Sequence, residues 1–163
     1  MSMRFSLLAS FAVLVACSPG TEDAPAPAEP PAASQAPATS APPSLARKPS
    51  PVGARVYIIS PRDGETVVSP VRVVFGLAGA GIAPAGIVKA DTGHHHLLID
   101  TAAPPLDLPI PADATHVHFG GGQTETTVTL TPGRHTLQLL LADELHLPHD
   151  PPLISDVVTI EVQ

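Results

Sequence analysis

A chain of 163 residues carries 8 Lys+Arg against 15 Asp+Glu, a net charge of −7, with 21 prolines, one cysteine and 3% aromatic residues. The acidic balance argues against a nucleic-acid partner, and a single cysteine excludes an intrachain disulfide. The scarcity of aromatic rings (Tyr57, Phe75 and Phe119 in the C-terminal part) argues against a sugar-stacking platform.

The N-terminus reads as a targeting signal. Arg4 supplies a positive start, and "FSLLASFAVL" at 5–14 is an apolar run too short to span a bilayer comfortably. The "LVAC" that follows, ending in Cys17, resembles the bacterial lipobox. Residues 1–17 are therefore expected to be a lipoprotein signal, with Cys17 acylated and the protein held on a lipid bilayer. More than one acyl chain, at about 0.8 kcal/mol per buried CH₂, anchors stably where one does not. The expected location is the bacterial cell envelope. Ser18 rather than an aspartate follows the cysteine, which in a Gram-negative host implies the outer membrane, facing the periplasm. Residues 18–52 are rich in proline, alanine and serine without apolar periodicity, and read as a disordered tether.

Residues 53–163 are long enough for one core and not for two. Their strands follow in order. "VYII" (56–59) and "VRVVFGL" (71–77) are β-branched and apolar, separated by the turn-rich "SPRDGETVVSP". A glycine- and proline-rich loop leads to "HHHLLID" (94–100), and a second proline-rich connection to the alternating "HVHF" (116–119). "FGGGQTE" (119–125) reads as a turn, because no helix follows to make a phosphate site. "TTVTL" (126–130), "TPGR" and "HTLQLLLA" (135–142) read as a hairpin, since Pro-Gly suits the centre of a type II turn. "VVTIEV" (157–162) is the last strand. Short strands, frequent turns and no amphipathic helix predict an antiparallel immunoglobulin-like β-sandwich.

All eight histidines lie between positions 94 and 149. Side chains alternate along a strand. Leu97 and Ile99 as a core pair send His95 inward, and put His94, His96, Leu98 and Asp100 on the other face. Val117 and Phe119 as a core pair leave His116 and His118 together on the opposite face. His135 shares the parity of Leu137, Leu139 and Leu141. If "HHHLLID" and "HTLQLLLA" are antiparallel neighbours, the start of one lies beside the end of the other. His94, His96, His118 and also His116, His146 and His149 then gather at one end, and His135 sits at the other.

Two His-x-His pairs on adjacent strands present imidazoles that suit zinc, nickel and copper(II). The expected metal site comprises His94, His96, His116, His118, His146 and His149, with copper(II) or zinc(II) as the ion. Asp143, Glu144 and Asp150 are candidates to complete it or to orient its rings. His95 and His135 are read as structural. There is no G-x-S-x-G elbow and no reactive thiol, so catalysis is not expected.

The motifs "GHHHLLID", "HVHFGGGQTE", "PGRHTLQLLLAD" and "HLPHDPPLIS" together resemble a bacterial family, the domain of unknown function 4399. The resemblance covers about 55–163 and implies no established chemistry. The site itself suggests an envelope lipoprotein that binds copper or zinc for delivery or sequestration. The alternative is a non-enzymatic module for an envelope polymer or partner protein, its histidines structural or pH-responsive.

Overall fold

A computed structural model of the chain describes residues 45–163. The expected signal peptide, the acylated Cys17 and the tether up to residue 44 lie outside the described residues. Nine strands follow: β1 (Arg55–Ser60), β2 (Glu65–Val67), β3 (Val71–Ala78), β4 (Gly81–Ile82), β5 (Thr92–Ile99), β6 (His116–His118), β7 (Glu125–Val128), β8 (Gly133–Ala142) and β9 (Val158–Val162). They form an all-β sandwich.

One sheet has the order β1-β3-β7, and the other β2-β9-β8-β5-β4, with β6 also pairing with β5. The alternation of apolar residues decides the packing. Val56, Val73 and Phe75 of the first sheet meet Leu97, Ile99, Leu137, Leu139, Leu141 and Ile160 of the second in one buried core. Most pairings are antiparallel. The exceptions are β2 with β9 and β4 with β5, which are short and parallel. Both of these short strands fall in stretches expected to be loops.

The hairpin expected across Pro132 and Gly133 does not form. β7 pairs with β3 in the first sheet, whereas β8 pairs with β5 and β9 in the second. The turn therefore carries the chain across the sandwich. Long-range register decides this: β8 is ten residues long and is claimed by neighbours on both sides.

The start of the ordered fold also lies earlier than expected. Arg47 Nε donates to the Pro148 carbonyl at 3.0 Å, and its guanidinium lies 3.3 Å from Asp150. Lys48 pairs with Glu144, and Ser50 N donates to the Asp150 carbonyl at 3.0 Å. Residues 47–50, expected to be tether, are thus tied to the 144–150 segment.

β5 is buried along its whole length, although a strand in a two-layer sandwich normally has one wet face. Its second face is covered by loops. Ile110 from the β5–β6 connection packs with Leu140 and Ala142, with Leu106 and Ile154 alongside. The Ile110 N–H donates to the His146 carbonyl at 2.9 Å, tying two of these loops together. Leu98, which its outward parity left without an expected partner within the sheets, is buried on this face, as are His94 and His96.

His135 lies at the far end of β8, away from the histidines of β5. Its Nδ1 is 2.6 Å from an Asp100 carboxylate oxygen, and its Nε2 is 2.8 Å from the Thr131 carbonyl. The Asp100 hydrogen bond, reinforced by the Thr131 carbonyl, raises the His135 pKa. A base whose folded pKa is raised contributes stability that is fully present below its unfolded value of 6.5 and lost as the pH rises through the folded value. His135→Ala should therefore cost more stability at pH 5.5 than at pH 9 in paired urea titrations. Equal costs at both pH values would show that the pair contributes no charge-dependent stability.

Candidate metal centre

The site is built from strand parity, strand register and one tight turn. Period two places His94 and His96 on the same face of β5. Antiparallel pairing sets His96 opposite His118 on β6. The pairing of His94 with Ala142 brings the end of β8 to the same place, and the chain turns there through residues 143–147. That turn delivers His146.

Asp143 shapes the turn. One of its carboxylate oxygens accepts the N–H groups of Leu145 at 2.8 Å and Leu147 at 2.9 Å. The His146 N–H donates to the Asp143 carbonyl at 3.0 Å. His146 itself has φ 67°, a left-handed conformation that a non-glycine residue adopts only where its surroundings enforce it.

His94, His96 and His118 form a cluster able to hold a metal ion, each offering a ring nitrogen, all within 4.8 Å of one another. The Nε2 atoms of His94 and His96 are 3.1 Å apart. Those of His118 and His146 are 3.2 Å apart. The first two rings are fully buried, and the latter two are half-buried. Burial, followed by the neighbouring His146, His118 and His95 rings, lowers the His94 pKa to about 4. Burial and the same crowding by His94, His118 and His146 lower that of His96 further. Burial and then His146 lower that of His118. The cluster is thus biased towards neutral imidazole, the form that ligates a metal.

The Nδ1 atoms of His94 and His96 are buried without a partner. Metal-ligating histidines usually donate this N–H to a carboxylate or carbonyl. The acids expected to serve that role are engaged elsewhere. Asp143 holds the turn, Glu144 pairs with Lys48, and Asp150 pairs with Arg47.

Two expected site residues stand apart. The His116 Nδ1 lies 3.0 Å from an oxygen of Asp113 and turns to that exposed carboxylate rather than to the cluster. It is opposite Leu98, two residues further along β5 than the His96–His118 pair. His149 is buried and lines a cavity with Lys48, Pro49 and the 88–92 segment, its own Nδ1 unpartnered. The isolated pairing of Ala142 with Pro148 holds the chain just before it, and His149 is not among the clustered rings. His95 faces the core, edge-on to Phe75 with ring centres 5.2 Å apart.

A glycine that read as a plain turn residue also belongs to the site. A Cβ on Gly120 would lie 2.3 Å from Cε1 and 2.7 Å from Nε2 of His118. Its backbone is not in the left-handed region, so the requirement is space and not conformation. Gly120→Ala should push the His118 ring aside and weaken metal binding by roughly 10- to 100-fold, the range typical of residues that orient ligands. Competition titration of the variant checks this, with its unfolding curve as control. An unchanged affinity would mean that His118 is not a ligand.

No curated protein and no solved structure shows a significant match to the chain. Residues 73–163, running from β3 to the C-terminus and including all eight histidines, match the family described as Domain of unknown function (DUF4399). The match takes in more than half of the sequence, and the chain belongs to that family.

Proposed function

We propose that the protein is a transition-metal-binding lipoprotein of the bacterial envelope, which takes up copper(II) or zinc(II) for delivery or sequestration and carries out no catalysis on it. The observation behind this reading is the meeting of His94, His96 and His118, from two strands, around one point. Imidazole donors suit both ions, and copper(II) binds the more tightly on the general affinity order. The lipobox-like "LVAC" supports anchorage through Cys17, and the Pro/Ala-rich stretch after it supports a tether. Structural or pH-responsive histidines account for His95 and His135, and leave the gathered rings unexplained.

Calorimetric titration of the protein, purified without a histidine tag and against a weak competing chelator, tests the proposal. One tight site per chain is expected, lost when His94 and His96 are both replaced by alanine. Those two side chains are fully buried, so a loss could reflect a damaged fold. His118→Gln, at a half-buried position, is the control variant: it should fold normally and bind weakly. A wild-type protein that takes up neither ion overturns the proposal.

A further inference from the structure

The four rings stand in a specific mutual arrangement. Centroid separations are 5.0 Å for His94–His96, His94–His118, His94–His146 and His96–His118, 4.8 Å for His118–His146 and 5.9 Å for His96–His146. Five of these separations lie at 4.8–5.0 Å and only His96–His146 is longer, so the four ring centres mark a tetrahedron slightly opened along one edge. A tetrahedral ion with metal–nitrogen bonds of about 2.0–2.1 Å places its donor nitrogens about 3.3 Å apart and its ring centres about 5 Å apart. The two Nε2–Nε2 distances of 3.1 and 3.2 Å match the donor spacing, and all the ring spacings but the 5.9 Å of His96–His146 match the second figure.

We propose that His146 is the fourth ligand, so that the bound ion sits in a closed, all-imidazole tetrahedral sphere with no position left for water or substrate. This inference rests on the metal-binding reading above and adds its coordination number. A closed sphere is the mark of an ion held, and an open position is the mark of an ion that works on a substrate. The fourth ligand also differs mechanically from the others. His94, His96 and His118 are fixed by strand register, whereas His146 rides on a turn held by the Asp143 carboxylate. An acceptor with a competing nitrogen or sulfur donor would displace His146 first.

Cobalt(II) in the full chain reports the geometry, because tetrahedral cobalt absorbs visible light far more strongly than six-coordinate cobalt. The cobalt-loaded wild type should show the intense tetrahedral spectrum and ignore added azide, which needs an open position. His146→Asn preserves tolerance for the left-handed backbone. In that variant cobalt should remain bound, the spectrum should move with azide, and zinc affinity should fall at least ~10-fold, the lower bound seen even for residues that only orient ligands. An azide-sensitive wild-type spectrum, or a variant matching wild type in affinity and spectrum, overturns the fourth ligand while leaving a three-histidine metal site standing. Failure of the wild type to take up cobalt or zinc at all overturns both.

Discussion

Zinc(II) at a free concentration 1,000-fold above its Kd should stabilise the protein by about 4 kcal/mol, because it binds the folded chain and has no assembled site in the unfolded one. For a domain of this size that corresponds to a rise in melting temperature of about 15 °C. The rise should vanish in the His94→Ala/His96→Ala variant. The physical basis is the crowding of the four rings. Four imidazoles are packed ring against ring, two of them, His94 and His96, fully buried, and burial together with the neighbouring rings disfavours charging those two. They contact one another in pairs, His94 with His96 and His118 with His146. Each such pair requires one ring to donate and the other to accept, and the outward nitrogens of His94 and His96 find no partner. An ion replaces two weak contacts with direct bonds to nitrogen. Copper(II) should give the larger shift at equal free concentration. Scanning calorimetry with and without metal decides the matter, and a melting temperature that does not move with either ion would leave the cluster without a ligand.

His95→Leu should stabilise the metal-free protein at pH 7 by about 1–3 kcal/mol, the usual penalty of an unsatisfied buried polar group. His95 has both ring nitrogens buried without partners, against Phe75 in the middle of the sandwich. Leucine is of similar size and brings no polar atom. The substitution should also flatten the acid limb of the stability curve. Burial lowers the His95 pKa from 6.5 to about 4, so between those values the unfolded chain takes up a proton that the folded chain refuses. Stability is therefore present above pH 6.5 and lost as the pH falls towards 4, by on the order of 3 kcal/mol for this ring. His94 and His96 act in the same direction, so part of the slope should survive. Urea unfolding at pH 7 and at pH 4.5 measures both effects. A variant less stable than wild type at pH 7 would mean that the ring is held by contacts worth more than its buried nitrogens cost. Metal affinity should be unchanged, because His95 points to the opposite face of β5 from the site.

The principal strands, the separation of His95 from His94 and His96, and the neighbourhood of His96 and His118 were legible from the sequence alone. All of these follow from period two in strands, and the apolar residues that set the parity are adjacent in the chain: Leu97 and Ile99 on β5, Val117 and Phe119 around β6. The antiparallel neighbours β5 and β8 were also within reach, because sandwich topology sets those two strands side by side. What the tertiary structure decided rests on residues far apart in sequence. Whether β8 folds back on β7 or crosses to the other sheet depends on the competing claims of β5 and β9. The cover over Leu140 and Ala142, on the face that carries His94 and His96, comes from Leu106 and Ile110 in one loop and Ile154 in another, and nothing local to "HHHLLID" signals it. His116 and His118 look equivalent in "HVHF". Asp113 captures the first, and register with His96 captures the second. His146 and His149 look equivalent in "LHLPHD", yet only the first lies in the turn held by the Asp143 carboxylate. Alternation assigns a side chain to a face, and the choice among histidines on that face is made by partners the chain brings from elsewhere.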